Sequence, residues 1–457
     1  MQLTHKIALV PSCAQRDYFC RAAGANRFTW NWALAEWNRQ QAAGLKPSAM
    51  RLKKQFNAIK YAQFPWLADL HRDSHAQAFA HLARAWDRFF ADLKAGARRA
   101  PDSREERRRL KQMGVRLAYP PCFKRKGRCA DSFYVANDKF KIDGKSIRLP
   151  KIGRVEMTEG LRFEGKILGA TVTRTADRWF VAIQVEVPEA KAMRPRTGDG
   201  IEGVDLGVKA AATLSTGETI DAPKPLHAAL RRLKIRGRRL SRKLEAAKVR
   251  AGIERGRRIP KGTRVPVSNN RAKGSRALAR LHARIANVRA DFAHKLTTRL
   301  CRENQAVVIE DLHVKGMLAN DKLARAISDV GFGMFRRQIE YKAKLFDTRL
   351  VLADRWYPSS KSCSACGTKN EALTLNDRSW TCEGCGTSHD RDHNAAINLK
   401  RLATVTALPA AKSPSNGGTA AGTVPSVVGE ETPARYEFGQ QDGSGQEENR
   451  AHLCALS

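Results

Sequence analysis

Hydrophobic and polar positions in the first part of the chain follow two different periods. Apolar side chains recur every three or four residues from Phe28 to Trp37 and again within residues 74–96, which predicts two amphipathic helices with tryptophans in the core. Residues 5–12 and 131–188 predict strands, because apolar and polar side chains alternate between Gly and Asp turns. Together these strands predict a small β-barrel or sandwich that a helical segment interrupts.

The second part of the chain alternates strands and helices. Residues 201–220 predict two strands joined by a Gly-containing turn, and residues 304–314 predict a buried strand that ends in acids. Between them, residues 224–300 predict two helices separated by a Pro- and Gly-containing break at 258–276. From about residue 406 onward Gly, Ser, Pro, Thr and Glu dominate, and such a segment cannot bury enough apolar area to become ordered.

The excess of basic residues indicates that the protein binds a polyanion. The chain of 457 residues has 83 Lys and Arg against 45 Asp and Glu, a formal net charge of +38. Self-repulsion on this scale destabilises a compact fold unless a polyanion neutralises it, so nucleic acid is the expected partner. Residues 231–258 alone hold 13 basic residues against two Glu, which predicts a helix pair that faces phosphates. With no long apolar run and no secretory signal, we expect a cytoplasmic protein without a membrane partner.

Four of the ten cysteines form two Cys-x2-Cys knuckles separated by 15 residues. They are Cys363, Cys366, Cys382 and Cys385. Each knuckle lets two thiolates converge, so the pair predicts the tetrahedral four-sulfur shell of a structural zinc ribbon with one zinc ion. Gly367 and Gly386 follow the knuckles, where a tight turn needs a positive φ. A closed shell has no open position, so this zinc is not expected to be catalytic, and His389 and His393 are not needed as ligands.

Acidic residues occur at three places where a carboxylate is unusual. Asp205 interrupts the otherwise apolar stretch GVDLGV, and Glu310 ends the apolar stretch AVVIE. A third acid, Asp390 or Asp392, precedes the predicted helix that contains NAAIN, where it could simply cap that helix. A buried carboxylate is unfavourable unless a cation pairs with it. Acids on a first strand, a later strand and a terminal helix are the layout of an RNase H-like nuclease, in which they hold two Mg²⁺ ions about 4 Å apart.

Several stretches of the sequence resemble one known family. GVDLGVKAAATLSTGE, VVIEDL and the run from CSACG to DHNAAINLKRL are similar to the TnpB, or OrfB zinc-ribbon, family of transposon-encoded proteins. That family is related to the type V CRISPR effector nucleases. The similarity extends over most of residues 1–402, including PPCFKRKG and the IRLPKIGRV strand, and the three acids and four cysteines follow the family's order.

This resemblance implies an RNA-guided, Mg²⁺-dependent DNA endonuclease encoded by an insertion sequence. Asp205, Glu310 and Asp392 then correspond to the RuvC catalytic acids, and Asp392 is preferred over Asp390 because it directly precedes the x-Asn-Ala-Ala run. A guide RNA from the transposon end pairs with target double-stranded DNA, while the protein recognises a short flanking motif. We expect a monomer in the RNA complex, associated with the nucleoid when it binds DNA. The expected nucleic-acid contacts are Lys124, Arg125, Lys126, Arg231, Arg232, Arg238 and Arg239.

The resemblance also implies a multidomain α+β fold in which one β domain is interrupted and one nuclease domain carries two insertions. A β-barrel (wedge) domain comprises residues 1–12 and 119–195, and a helical recognition insertion at 13–118 interrupts it. A RuvC-like (RNase H-like) α/β nuclease domain follows at 196–402 and carries a basic helical insertion at 224–300 and a zinc ribbon at 359–388. The chain ends in a disordered tail at 403–457.

Three other functions are compatible with parts of this pattern. A nuclease-dead RNA-guided DNA-binding regulator shares the fold, but such relatives lose acids of the triad, and all three are present here. A compact type V CRISPR effector differs from a transposon-encoded protein in its neighbouring locus. A DNA-strand transposase, or an accessory protein of one, is disfavoured because the chain lacks a catalytic Tyr or His-hydrophobe-His signature.

Overall fold

The computed structural model describes residues 1–96, 99–101, 103–260, 262–374 and 377–405, apart from the side chains of Lys111 and Val405. These residues group into two compact units, one of residues 1–188 and 240–279 and the other of residues 189–239 and 280–405. The predicted tail lies outside the described residues from 406 onward. None of the described helices is both long and apolar enough to cross a bilayer.

Seven strands of the first unit form one antiparallel sheet. They are β1 (Gln2–Val10), β2 (Ser132–Ala136), β3 (Lys141–Asp143), β4 (Ser146–Leu149), β5 (Gly153–Met157), β6 (Lys166–Thr175) and β7 (Arg178–Glu186). Their hydrogen-bonded order is β2-β6-β7-β1-β5-β4-β3. The first strand therefore lies in the middle of the sheet, with Leu9 paired to Trp179 of β7 on one side and to Met157 of β5 on the other.

This sheet is open, whereas the sequence pattern predicts a barrel or sandwich and the family resemblance a barrel. Among the described residues β2 and β3 are the two edge strands, and no ladder joins them to close the sheet. The alternation itself is present, since Val181, Ile183 and Val185 of β7 are all buried. Alternation specifies strands and their buried face, but closure depends on strand tilt and stagger across the whole sheet, which alternation does not encode.

Helices occupy the chain between β1 and β2. They are α1 (Cys13–Ala42), α2 (Ala49–Gln63), α3 (Asp73–Lys94) and α4 (Arg104–Gln112), with a 3-10 turn at Pro65–Asp69. A capping box starts α1: the Ser12 hydroxyl accepts the Gln15 backbone N–H at 3.2 Å, and Gln15 Oε1 accepts the Ser12 N–H at 2.9 Å. Trp37 of α1 stacks on Trp86 of α3 at 5.2 Å, and both are buried, as predicted for core tryptophans. Neither α2 nor α4 is predicted from the pattern, because few of their side chains are apolar and buried.

Two long basic helices contribute residues to both units. After the short α5 (Glu189–Ala192), they are α6 (Pro225–Arg250) and α7 (Asn269–Glu303). The helix α7 begins inside the segment 258–276 that the sequence predicts as a break. The Ser268 hydroxyl accepts the backbone N–H of Arg271 at 3.2 Å, so Ser268 acts as an N-cap that starts the helix early.

A five-stranded mixed sheet is the framework of the second unit. Its strands are β8 (Gly200–Asp205), β9 (Ala212–Leu214), β10 (Thr219–Ile220), β11 (Asn304–Glu310) and β12 (Arg349–Ala353), in the order β10-β9-β8-β11-β12. Strands β8, β9 and β10 are joined antiparallel, whereas β11 pairs in parallel with both β8 and β12. The carboxyl ends of β8, β11 and β12 therefore lie at one edge of the sheet.

The terminal helix packs directly on this sheet. The remaining elements are α8 (Val314–Met317), α9 (Ala324–Val330), α10 (Phe332–Phe346), the hairpin of β13 (Ser379–Thr381) and β14 (Ser388–Asp390), and α11 (Arg391–Val405). A methyl group at Gly203 of β8 would lie 2.0 Å from the carbonyl oxygen of Ala396 and 2.5 Å from the backbone nitrogen of Lys400. Only glycine permits this approach, so the backbones of β8 and α11 are in contact two residues before β8 ends.

Candidate active site and cysteine cluster

Adjacent parallel strands place Asp205 and Glu310 side by side. Asp205 is the last residue of β8 and Glu310 is the last residue of β11. The register pairs Val204 with Ile309 immediately before them. In open α/β sheets, ligands bind in crevices at the carboxyl ends of parallel strands. The two acids therefore occupy the edge of the sheet where a ligand site is expected.

The first turn of α11 contributes Asp392. Asp390 precedes the helix and accepts the backbone N–H groups of Asp392 at 3.1 Å and His393 at 2.9 Å, so Asp390 is the N-cap. The carboxylate of Asp392 has a different role. It contacts the guanidinium groups of Arg391 at 2.9 Å and Arg378 at 3.5 Å. Of the two acids, one caps the helix and the other is available for side-chain interactions.

The pKa of Asp205 shows that the acids interact. Burial, followed by the negative charges of Glu310 and Asp392, raises the pKa of Asp205 from 3.8 to about 8, and the Arg391 guanidinium offsets part of the rise. A rise of this size corresponds to about 6 kcal/mol against the ionised form, because each pH unit is worth about 1.36 kcal/mol. Ionisation of Asp205 is therefore unfavourable unless a cation joins the carboxylates.

Glu310 and its neighbour Asp311 have different partners. The Ser359 hydroxyl donates a hydrogen bond of 2.7 Å to Oε1 of Glu310. Asp311 pairs with two guanidinium groups, those of Arg336 at 3.2 Å and Arg355 at 3.3 Å. The protein itself thus neutralises Asp311, whereas Glu310 forms no ion pair within the described part of the chain.

The donor atoms at this edge are carboxylate oxygens, the ligands that Mg²⁺ prefers in proteins. The three carboxylates are not among the described groups whose ligand atoms all lie within 4.8 Å of one another. In the described ranges, the cysteine cluster is the only group of three or more Cys, His, Asp or Glu whose ligand atoms all lie within 4.8 Å of one another. A pair of metal ions about 3.5–4 Å apart takes ligands from a wider area than one ion does.

The cysteine knuckles form one compact group of four sulfur atoms. The Sγ atoms of Cys363 and Cys385 are 3.7 Å apart, those of Cys366 and Cys382 are 3.5 Å apart, and all four lie within 4.8 Å of one another. A tetrahedral zinc ion with Zn–S bonds of about 2.3 Å requires S···S distances of about 3.8 Å. The four sulfur atoms fit a zinc ion with only small adjustments.

Both knuckles use the same backbone conformation. The Gly367 N–H donates to the Cys363 carbonyl at 2.9 Å, and the Gly386 N–H donates to the Cys382 carbonyl at 2.8 Å. The two glycines have φ values of 85° and 71°, so the positive φ predicted at both positions is confirmed. His389 Nε2 lies 3.0 Å from the Cys363 sulfur but is not part of the four-sulfur group.

The seven basic residues predicted to bind nucleic acid differ in accessibility. Six are exposed, namely Arg125, Lys126, Arg231, Arg232, Arg238 and Arg239. Lys124 is the exception, because its ammonium group lies 4.0 Å from the centre of the Trp30 ring and burial lowers its pKa. Its backbone also exchanges two hydrogen bonds with the Asn31 side chain, at 2.7 and 2.8 Å. Lys124 is therefore part of the packing against α1.

Three buried polar residues beside the site are not predicted from the sequence. Ser359 bonds to Glu310, and Asn394 and Asn398 of α11 bond to the segment that contains Ser359. The available signal is a pair of asparagines four residues apart in the otherwise apolar run NAAINL. The pattern predicts only a helix start for that run, and it predicts the preceding VLADRWYPSSKSC stretch as a strand, whereas β12 ends at Ala353.

Family models match three parts of the chain. An OrfB IS605 model described as "Probable transposase" matches residues 182–321, and a "Cas12f1-like, TNB domain" matches residues 332–399. A model described as "Helix-turn-helix domain" matches residues 1–46, which here comprise β1 and α1.

A relative that spans most of the chain shows the family. The chain is 34% identical over 403 residues to a "Putative RNA-guided DNA endonuclease" of Streptomyces pristinaespiralis, with 86% of this chain and 87% of the relative covered. The chain belongs to the TnpB family. The resemblance predicted from the motifs is thereby confirmed.

Further TnpB-family relatives extend the similarity. "Putative RNA-guided DNA endonuclease InsQ" of Escherichia coli strain K12 is 29% identical over 414 residues, covering 86% of this chain and 90% of the relative. Among solved structures, CasPhi-2 (Cas12j) bound to crRNA aligns with 88% of this chain and 98% of its own, at 13% identity and a TM-score of 0.41.

Proposed function

We propose that this TnpB-family chain is an RNA-guided DNA endonuclease encoded by an insertion sequence. The observation that carries the proposal is the placement of Asp205 and Glu310 at the ends of adjacent parallel strands, where the charges of Glu310 and Asp392 add to burial in raising the pKa of Asp205. Repulsion among the three carboxylates destabilises the folded chain, and a divalent cation bound between them would relieve that repulsion. The relatives named as RNA-guided DNA endonucleases support the same reaction, which is hydrolysis of a DNA phosphodiester.

Asp205, Glu310 and Asp392 would hold the catalytic metal. Two Mg²⁺ ions, when bound, would activate the attacking water and stabilise the leaving 3′-oxygen. The chain contributes the alignment of the ligands: the register of β8 and β11 sets Asp205 beside Glu310. Asp390 caps α11 and so leaves Asp392 available. Asp205 must give up its proton when the metal binds, since a metal ligand is a carboxylate.

Guide RNA and double-stranded target DNA are the polyanions that would neutralise the net charge of +38. The exposed arginines of α6, with Arg125 and Lys126, would contact phosphates, which gives affinity without sequence preference. Base pairing with the guide would supply the choice of target. The RNA would come from the transposon end, and the chain would act as a monomer in the RNA complex, associated with the nucleoid when bound to DNA.

The cysteine cluster supports a structural role for one zinc ion. Four thiolates close the coordination shell, so no position remains for water or substrate. We further propose that the five-stranded sheet with α11 is the RuvC, or RNase H-like, nuclease domain. The seven-stranded sheet would be the wedge domain, and the helices between β1 and β2 would be the recognition insertion.

Substitution of each acid tests the proposal. Asp205→Ala, Glu310→Gln and Asp392→Ala are each expected to abolish Mg²⁺-dependent cleavage while guided DNA binding persists, because the phosphate contacts lie elsewhere. Asp311→Asn and Asp390→Asn are the matched controls, since the first acid is paired with arginines and asparagine can replace the second as a cap.

Near-normal cleavage by any one of the three variants removes that residue from the site, and near-normal cleavage by all three refutes the proposal. A wild-type complex that binds guided DNA and never cuts it would favour the nuclease-dead regulator.

A further inference from the structure

Two buried asparagines of α11 form hydrogen bonds with the segment that leads into the first cysteine knuckle. Asn394 and Asn398 are 1% and 3% exposed and lie four residues apart, on one face of the helix. Both amide groups donate to the Ser362 carbonyl, at 2.8 and 2.7 Å, and Asn398 also donates to the Ser359 carbonyl at 2.8 Å. The Asn394 Oδ1 atom accepts the backbone N–H of Ser364, inside the knuckle, at 2.8 Å.

The same segment reaches the carboxylates. Ser359 is 5% exposed, and its hydroxyl donates to Glu310 Oε1 at 2.7 Å. Asp392 lies two residues before Asn394 on α11. Residues 359–364 therefore bond to Glu310 at one end, to α11 along their length, and continue into the cysteine cluster at the other end.

We propose that Ser359, Asn394 and Asn398 are positioning residues, which make the placement of Glu310 and Asp392 depend on the zinc-bound knuckle. The inference rests on the proposed metal-dependent nuclease function. The Ser359 hydrogen bond fixes one oxygen of Glu310 and so restricts its rotamer. The two asparagine amides fix α11 against the knuckle segment. Buried polar groups of this kind are well satisfied only when all partners are in place, so loss of order in the knuckle would be transmitted to both acids.

Partners that orient metal ligands typically change metal affinity or activity by about 10–100-fold when they are removed. Ser359→Ala removes one hydroxyl and leaves the backbone carbonyl that Asn398 binds. Ser360→Ala is the matched control in the same segment, because the bond of Ser360 to Asn394 uses its backbone carbonyl, at 3.4 Å. Asn398→Ala removes one of the two asparagine ties to α11 and keeps those of Asn394, without touching a cysteine or an acid.

Mn²⁺ is the probe, titrated into the RNA-loaded protein and followed by electron paramagnetic resonance. The Asp205→Asn protein with the same RNA supplies the background of Mn²⁺ bound to RNA. Ser359→Ala and Asn398→Ala are expected to weaken the specific Mn²⁺ binding about 10–100-fold, with one zinc per chain retained and guided DNA binding unchanged. Ser360→Ala should bind Mn²⁺ as the wild type does.

Wild-type Mn²⁺ affinity in Ser359→Ala overturns the inference, and so does wild-type Mn²⁺ affinity in protein from which the zinc has been removed. If Asn398→Ala does not fold, Ser359→Ala alone decides, because its backbone contacts are intact. A wild-type protein that binds no specific Mn²⁺ contradicts the proposed function as well, whereas wild-type binding with an unaffected Ser359→Ala contradicts the positioning role alone.

Discussion

Mg²⁺ binding should release a proton from Asp205, and the amount released should depend on pH. With a pKa of about 8, the Asp205 carboxyl carries a proton in about 0.9 of the molecules at pH 7, about 0.5 at pH 8 and about 0.1 at pH 9. The ion binds the carboxylate, so these fractions are the protons released per chain. Below pH 8, proton and metal compete, and the apparent Mg²⁺ affinity should fall by up to about tenfold per pH unit.

The same pKa shift fixes the direction of the stability change in the metal-free protein. The folded-state pKa of Asp205 is raised above its unfolded value, so the folded state binds more protons between pH 3.8 and about 8. The contribution of this group to the free energy of unfolding is therefore fully present below pH 3.8 and is lost as pH rises through about 8. The total loss is up to about 6 kcal/mol. Asp205→Asn, which has no charge to bury, should therefore melt at a higher temperature than the metal-free wild type at pH 8.

Isothermal titration calorimetry of Mg²⁺ in two buffers with different ionisation enthalpies measures the proton release. The RNA-loaded protein is titrated at pH 7, 8 and 9, and Asp205→Asn with the same RNA gives the background from Mg²⁺ on RNA. Equal proton release from the wild type and Asp205→Asn would refute the reasoning. So would a release that does not change between pH 7 and pH 9.

Two further predictions concern the zinc ion and the basic surface. Cys363→Ser or Cys382→Ser should lower the zinc content and destabilise the fold around α11, because a closed zinc site contributes folding free energy. Elemental analysis that finds no zinc in active wild-type protein would contradict this prediction. Replacing four of the exposed arginines of α6 with Ala should flatten the slope of log affinity against log salt by up to about 4, since each duplex phosphate contact contributes about 0.9. The chosen target should not change, and an altered target sequence would show that these side chains contact bases. The four residues are Arg231, Arg232, Arg238 and Arg239.

The sequence predicts the parts of this molecule that short-range pattern determines. An acid at the end of an apolar run predicts a carboxylate at a strand end, and Glu310 lies there, whereas Asp205, predicted in the middle of a strand, is the last residue of β8. Knuckle spacing and the following glycines predict the four-sulfur group, since convergence of two thiolates is a local property of the chain. The family follows from the same motifs, and the match to a relative over most of the chain confirms it.

Features that depend on distant residues are not predicted. Closure of the seven-stranded sheet depends on its edges, and alternation within a strand carries no information about them. The basic stretch FKRKG predicts that Lys124 contacts phosphate. In the fold its side chain packs against Trp30, which is far away in sequence. The pattern predicts Ser359 only as part of a strand that leads to the cysteines, because its partner Glu310 lies 49 residues away and is brought near only when β11 and β12 pair.

Exchange of the guide tests the central claim most directly. The RNA that copurifies with the chain is sequenced, and the protein is reloaded with the same RNA scaffold carrying a new guide segment. Cleavage should move to DNA that matches the new guide beside the same flanking motif, and Asp205→Ala should bind that DNA without cutting it. If cleavage stays at the old target, or if RNA-free protein cuts one defined DNA sequence as well as the loaded form does, the chain is not an RNA-guided endonuclease.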